Sequence, residues 1–536
     1  LPVDRDEIRF EEVDGKTYIR FPLDKGEKIF GLGLNFKTVE QRGRILELHV
    51  DHYGGKDNGR THAPVPFFVS SKGYGAFINS ARYIKAYVGT GVRKDTKNPP
   101  EVQDRNTDPG WSAQPYSDNL EFLVPAEGVE VVLFAGQDMQ DVVRRFNLFN
   151  GGGVLPPKWG LGFWHRVPTL FTDRQVQDEI AEFRKRGFPL TVIGLEPGWM
   201  SRAYPCTYEW DATRFPEPGK FVNDLLQKHI RTNLWFNPGV SPECEIRDAI
   251  EPYTASHTEW NGLIPDYRMP EARRIMLDHF KKHQLDMGVS GYKMDENDGY
   301  DNWLWPDVAT FPSGTPAEQM RQIYGSLMQR MTTDLYHEKN QRTYGLVRAG
   351  NAGTSSFPYV IYNDYYNHRD FITALINSSF IGVLWTPEVR ASKTSEEWLR
   401  RMQTVCFSPV AMLDAWADGH PDLETWDRSL RAHDTLVVEE GGRILGFGDM
   451  TADGYLDRLF VHREAQGRGI ASALCAALEC RCSASEFTVH ASRTAQPFFQ
   501  GRGYQVVREQ QVERRGVLLT NFLMVRPADG VEEKRK

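Results

Sequence analysis

Between residues 158 and 413 the chain repeats one pattern eight times: a short apolar run of strand length, in most cases followed by an amphipathic stretch. The runs are WGLGFW (159–164), LTVIGL (190–195), TNLWFN (232–237), GVSGYKM (288–294), TYGLV (343–347), PYVIY (358–362), GVLW (382–385) and CFSPVAM (406–412). Intervening stretches such as DRQVQDEIAEFRKRG and SEEWLRRMQTV carry apolar residues at helical spacing. Eight such strands with helices between them, over about 250 residues, is the arithmetic of a (β/α)8 barrel. Barrels of this kind carry their chemistry at the C-terminal ends of the strands. Glu196, Asn237, Asp295, Arg348, Asp364 and Glu388 fall at those ends, which points to an enzyme.

The flanks read differently. Residues 1–135 contain KTYIRFPL, ILELHVDHY, PFFVSS, YGAFINS and VEVVLFAG, short runs rich in β-branched and aromatic residues between turn residues. They predict a β-sandwich, closed by a helix over 138–149 and the linker GGGVLPP (151–157). Beyond the barrel the composition shifts: eighteen lysines occur in residues 1–393 and none in 394–533, where arginine carries the positive charge. That marks a segment of different origin. The expected organisation is a multidomain chain, with a β-sandwich over 1–150, the barrel over 151–412 and an α/β domain over 413–536.

A net charge of −8 argues against a nucleic-acid partner. No apolar run approaches the ~20 residues of a membrane helix. The start, LPVDRDEIRF, shows no basic-plus-apolar leader, so the expectation is a soluble protein, cytoplasmic or exported with its signal already removed. The six cysteines form no CxxC pair, and His165, after the first barrel run, has no partner at metal-ligand spacing, so no metal is expected.

The strongest constellation is GYKMDENDGYDNWLW (291–305) with VRAGNAGTSSFPYVIYNDYYN (347–367) downstream. Each places an aspartate at the end of an apolar strand, Asp295 after the fourth and Asp364 after the sixth. Two carboxylates facing one another across a rim can divide glycoside cleavage into two displacements, one attacking carbon and the other moving a proton. The same residues also fit plain strand termination.

Together with EKIFGLGLNF (27–36), LPPKWGLGFWHR (155–166), TVIGLEPGWM (191–200), YEWDATRFPEPGKF (208–221) and EEWLRRMQTVCFSP (396–409), these segments resemble glycoside hydrolase family 31, in the family's order and over about three quarters of the chain. The resemblance implies a retaining, exo-acting α-glycosidase that needs no cofactor and acts on terminal α-linked hexosides. It makes Asp295 the nucleophile, Asp364 the acid/base, and Glu196 and Arg348 sugar-binding residues. Of the tryptophans at strand ends or rim loops (Trp199, Trp235, Trp303, Trp305 and Trp385), one or two are expected to wall the sugar, with Trp235 a substrate-binding candidate. His165 is a further candidate for a sugar hydroxyl.

Three departures bear on specificity. Lys293 stands two before the nucleophile, where an aromatic residue is usual; it either donates to an axial 4-hydroxyl, favouring α-galactosides or α-N-acetylgalactosaminides, or pairs with Glu296 or another carboxylate. Gly198 replaces a usual second Asp. The Arg–His couple expected after the eighth strand is missing from SPVAMLDAW (408–416).

In the last segment, YLDRLFVHREAQGRGIASALCAALE (455–479) runs a strand into a glycine-rich turn and then a helix. Backbone N–H groups at such a helix start, with the helix dipole, suit a pyrophosphate. With ASRTAQPFFQGRGY (491–504) and RGVLLTNFLMV (515–525), it resembles the GNAT-type N-acetyltransferases. The resemblance implies acetyl-CoA held by Phe460, Val461, Gln466, Gly467, Arg468, Gly469, Ile470 and Ala471. The family's tyrosine acid is Phe499 here, with Tyr504 a nearby substitute. The first resemblance stops before its last helix and the second starts without its first strand and helix, so a truncated or artificially joined chain, inactive at one or both sites, is the alternative expectation.

Overall fold

The computed structural model describes residues 3–96, 99–113, 116–299, 304–364, 367–390, 392, 394–414, 430–514 and 517–528. It divides into two compact units, Leu1–Asp418 and Gly419–Lys536.

The first unit opens with two antiparallel sheets. Strands Arg9–Val13, Lys16–Pro22, Asn119–Val124, Ile84–Val88 and Arg44–Leu48 lie side by side in that order, and Ile29–Gly31, Phe67–Ser70, Tyr74–Asn79 and Glu130–Ala135 form the second sheet. Alternate residues of both sheets, among them Ile19, Phe21, Leu46, Phe68, Ala76, Ile78, Ala86 and Phe122, meet in one buried cluster, which makes the pair a sandwich. The helix Met139–Phe149 is capped by Asp138, whose side chain accepts from Asp141 N, and buries Val142 and Phe146.

The barrel follows. Strands Tyr359–Ile361, Gly345–Val347, Gly291–Met294, Arg231–Phe236, Leu190–Leu195, Phe163–Arg166 and Ala411–Asp414 form one parallel sheet in that spatial order, the sixth, fifth, fourth, third, second, first and eighth by sequence. The seventh segment joins the two edges through single bridges, Ile361 to Trp385 and Val389 to Leu413. Ile361 N donates to Leu384 O at 2.9 Å and Asp414 N to Val389 O at 2.8 Å, so the ring closes.

Inward-facing Trp164, Val192, Tyr344, Leu346, Val360, Tyr362 and Met412 pack together inside the ring. Full burial of such side chains stabilises by about 1.5–3 kcal/mol each. Gly194 leaves the space that the Arg166 guanidinium fills, since a Cβ there would lie 2.4 Å from its Nη1. Loops of the sandwich reach the barrel rim: Val50 N donates to Gln322 at 2.6 Å, and His62 lies against the Arg348 carbonyl.

The second unit is a six-stranded sheet ordered Asp434–Glu440, Arg443–Met450, Tyr455–Val461, Glu486–Ser492, Val517–Pro527, Gln505–Arg514. Only the central pair is parallel, and it is joined at just Tyr455–Thr488 and Leu456–Val489 before the strands part. The helix Ile470–Arg481 packs Leu474, Cys475 and Leu478 on the sheet. Among the described residues no strand or helix of this unit precedes the helical turn that leads into the Asp434 strand. The LDAWADGHPDLETW segment beyond Asp414, Trp303, Arg515, Gly516 and the VEEKRK tail lie outside the described residues.

Candidate functional site

Side chains alternate along a strand, so barrel residues two apart share the interior. Lys293 and Asp295, Leu346 and Arg348, and Val360, Tyr362 and Asp364 follow that parity, and Asp295 and Asp364 arrive at one rim. Arg348 joins them. Its Nη1 donates to Asp295 Oδ1 and to Asp364 Oδ2, each at 2.8 Å. Those two oxygens therefore stand at most about 5.6 Å apart, which is compatible with the ~5–5.5 Å carboxyl spacing of retaining glycosidases.

Asp295 is held on every side. Trp235 Nε1 donates to its Oδ2 at 2.6 Å, and Glu296 N donates to its Oδ1 at 2.8 Å. Asp364 is partly buried at the mouth, with Arg390 Nη2 3.3 Å away. Burial, with Glu388 and Asp295 nearby, pushes its carboxyl above the usual range against the pull of Arg348. Glu296, next to Asp295, accepts from Asn237 Nδ2 at 2.9 Å and is pushed up to about 8 by burial and by the Asp295 charge.

Sequence reasoning missed the outer support of Arg348. Its Nη2 donates to His52 Nδ1 at 2.7 Å and its Nε lies 3.3 Å from Asp298. His62 Nδ1 lies 2.8 Å from the same Asp298, while Tyr53 N donates to His62 Nε2 at 3.3 Å. His52 and His62 come from the sandwich, nearly 300 residues away in sequence, and no local pattern announces such a contact.

Below the rim lies a buried charge network. Lys293 is 2 % exposed, and its Nζ donates to Glu388 at 2.8 Å, Asp414 at 3.1 Å and Glu196 at 3.3 Å. An ammonium has three hydrogens, and all three are engaged. The galactose-directed role expected of Lys293 therefore fails, and the ion-pair reading holds, with Glu196, Glu388 and Asp414 in place of Glu296. Glu196 is buried between Lys293 and Arg166, which also donates to Asn233 at 2.7 Å. Burial would raise Glu388, but Lys293 and Arg390 outweigh it and hold it well below the carboxylate range. Burial and the Glu388 charge push Asp414 well up.

Two other candidates are displaced. His165 has the opposite parity to Trp164 and Arg166. It faces outward against Phe183, with its Nε2 3.3 Å from Glu179 on the helix Asp173–Lys185, so it cannot reach a sugar. The rim tryptophans Trp199, Trp235, Trp305 and Trp385 are all at most 1 % exposed. They are packing residues, and Trp235 serves Asp295 rather than walling the sugar. At Gly198 a Cβ would come within 1.9 Å of Thr169 O, so the usual second Asp has no room.

In the second unit Gly467 and Gly469 adopt φ of 76° and 79° and face open space, just before the 12-residue helix Ile470–Arg481. Arg468 is exposed and pairs with Glu440 at 3.0 Å. Gln466 is extended and Phe460 is exposed, stacked on Phe447 at 5.3 Å. Val461 and Ile470 pack in a small core, so they shape the loop from beneath, with Ala471 in the first helical turn. Tyr504 is buried with its hydroxyl donating to Glu479 at 2.8 Å, a placement that does not support the substitute-acid role expected of it.

Residues 153–435 match the glycosyl hydrolases family 31 TIM-barrel domain, and residues 4–85 the glycosyl hydrolase 31 N-terminal galactose mutarotase-like domain. Residues 408–525 match the acetyltransferase (GNAT) domain. Similar curated proteins include an alpha-xylosidase of Emericella nidulans, 24% identical over 65% of this chain and 43% of its own length. Alpha-xylosidase XylQ of Lactiplantibacillus pentosus is 24% identical over 62% of this chain and 40% of its own. The chain thus spans about two fifths of these relatives. The uncharacterized N-acetyltransferase YafP of Escherichia coli is 41% identical over 22% of this chain and 75% of its own length. Among solved structures, a GH31 dextranase of Flavobacterium johnsoniae superposes with a TM-score of 0.63 at 19% identity, over 78% of this chain and 53% of that one. Closed barrel, sandwich and family match together place the chain in glycosyl hydrolase family 31, with a GNAT acetyltransferase domain at its C-terminal end.

Proposed function

We propose that the first unit is a retaining, exo-acting α-glycosidase. The observation that carries this reading is the single Arg348 nitrogen bonded to both Asp295 and Asp364. Asp364, with its raised affinity for a proton, protonates the leaving oxygen while an Asp295 oxygen attacks the anomeric carbon. The glycosyl ester on Asp295 is then cleaved by water, which loses its proton to Asp364. The closed floor of Arg166, Glu196, Lys293, Glu388 and Asp414 favours a terminal sugar. With every Lys293 hydrogen engaged and with α-xylosidases and α-glucosidases among the relatives, xylo- or gluco-configured substrates are favoured over galactosides and N-acetylgalactosaminides.

The test is a side-by-side screen of aryl α-xyloside, α-glucoside, α-galactoside and α-N-acetylgalactosaminide, with the anomer of the first product read by NMR. Retention is expected, with activity lost in Asp295→Asn. Inversion, or full activity of that variant, would overturn the reading.

The second unit carries a separate proposal, acetyl-CoA binding for acetyl transfer. The open glycine turn at a helix start, beside strands that part after two residue pairs, supports it. Calorimetry with acetyl-CoA tests it; no heat at millimolar ligand would remove it.

A further inference from the structure

We propose that Glu245, His279 and His283 form a metal site for a borderline divalent ion of the Zn²⁺ class, pinning the end of one barrel helix to the loops that follow the second and third barrel strands. The helix Pro270–His283 begins on proline, which suits the first helical position, and buries Ala272, Met276, His279 and Phe280 along one face. His279 and His283 stand one turn apart on it, so their rings share a side, with centroids 4.5 Å apart. Neither His165 nor the cysteines offers such a spacing. Glu245 arrives from the loop after the strand Arg231–Phe236.

The three side chains converge on one oxygen. Glu245 Oε1 lies 3.1 Å from His279 Nδ1 and 2.9 Å from His283 Nε2, and the ligating atoms of the three all fall within 4.8 Å of one another. A tetrahedral ion with bonds of ~2.0–2.1 Å has ligand–ligand edges of about 3.3–3.4 Å, so these distances need open by only a few tenths of an ångström. Two imidazoles and a carboxylate suit Zn²⁺ better than Mg²⁺ or Ca²⁺, which take oxygen, and a water completes the set.

The surroundings of His279 support the same reading. Its Nε2 lies 3.1 Å from the Thr207 carbonyl, which can only accept, so this nitrogen carries the hydrogen and Nδ1 turns its lone pair towards Glu245. A lone pair facing a carboxylate oxygen is repulsive until a cation lies between them. The His279 side chain is fully buried, where an imidazolium would be costly. A ligating histidine characteristically gives its other N–H to a carbonyl in this way, which fixes tautomer and ring. The Cys244 thiol, 3.9 Å from Nε2, lies on that far side and donates to the same carbonyl, so it stays outside the ligand set. The competitor for Glu245 is Lys282, whose Nζ lies 2.8 and 2.9 Å from its two oxygens. That side chain is 62 % exposed and can swing into water when an ion arrives.

The test uses the untagged full chain, stripped with a chelator and titrated with Zn²⁺ alone by calorimetry. The native chain is expected to take up Zn²⁺ and to gain about 2 °C or more in melting temperature at saturating ion, since a ligand held only by the folded state stabilises it. Glu245→Gln and His283→Gln each remove a donor at a partly exposed position. Each should weaken binding at least about tenfold while the metal-free chain melts almost as before. Lys282→Met removes the competing ammonium and should bind Zn²⁺ at least as tightly as the native chain. Mg²⁺ should give no heat. Native affinity in both glutamine variants overturns the site, as does a native chain that takes up no Zn²⁺, the result expected if Glu245 serves only as the ion-pair partner of Lys282.

Discussion

The indole N–H of Trp235 points at Oδ2 of Asp295 from 2.6 Å, while Arg348 and the Glu296 amide hold Oδ1. A nucleophile fixed at both oxygens keeps one orientation towards the anomeric carbon, and misplacement by an ångström can cost ~100-fold in rate. Trp235→Phe keeps the buried ring and removes the donor. Turnover of an activated aryl α-glycoside should fall about ten- to a hundredfold with little change in the melting temperature. Native kinetics would show that the bond is incidental.

Asp364 is predicted to matter in proportion to the leaving group. A fluoride departs without help from an acid, whereas a sugar alkoxide needs a proton. Asp364→Ala should therefore lose at least ~100-fold on a disaccharide and far less on the glycosyl fluoride. Added azide, which needs no general base, should speed turnover of the glycosyl ester and yield a glycosyl azide of retained configuration. Equal loss on both substrates would remove Asp364 from the acid/base role.

Lys293 balances Glu196, Glu388 and Asp414 with almost no access to water. Taking away one partner of a buried ionic group leaves uncompensated charge and costs about 3–5 kcal/mol. Lys293→Met should lower stability to urea by that order, and adding Glu388→Gln should recover part of it. The double variant separates charge balance from a lost methylene stem: no recovery would assign the loss to packing.

How far the sequence could be read follows from these same residues. Asp295, Arg348 and Asp364 were legible because each closes an apolar strand and parity then aims it inward. His165 was misread for want of the same step: one residue along the strand, it faces the outer helix. Lys293 had the right parity, but nothing local told that Glu388 and Asp414, about 100 residues away, would take its hydrogens. The strands Arg9–Val13, Ile84–Val88 and Asn119–Val124 were likewise missed. Ile84–Val88 alternates over only five residues, Asn119–Val124 is buried at nearly every position, and Arg9–Val13, a fully exposed edge strand, buries nothing that would enforce a pattern.

Two histidines where sandwich meets barrel make stability depend on pH. Burial pushes His62 down to about 4 and His49 down to about 3, so both are neutral when folded at mildly acid pH. The unfolded chain, with histidines near 6.5, binds protons there that the folded chain refuses. Stability is therefore full above about pH 6.5 and declines as pH falls towards 4, by about 1.4 kcal/mol per unit for each histidine. Urea midpoints at pH 7.5, 5.5 and 4.5 read this directly. His49→Phe, which preserves a ring against Tyr83, should make the decline shallower; an equal slope would place the acid sensitivity elsewhere.

The glycine turn of the second unit gives the last prediction. At Gly467 and Gly469 nothing lies within 4 Å of where a Cβ would sit, so a small side chain meets no steric bar. What it meets is backbone strain, about 1–2 kcal/mol for an L-residue in the left-handed region and less for Asp or Asn. Asp in place of Gly469 also sets a carboxylate at the helix start, where bare N–H groups would otherwise face a pyrophosphate. Gly469→Asn carries the same backbone cost and nearly the same shape without the charge. If these amides hold the ligand, acetyl-CoA should bind Gly469→Asp at least tenfold more weakly than Gly469→Asn. Free CoA should follow the same order, because the pyrophosphate is common to both. The two variants should melt together, and equal affinities would show that the turn does not hold the pyrophosphate.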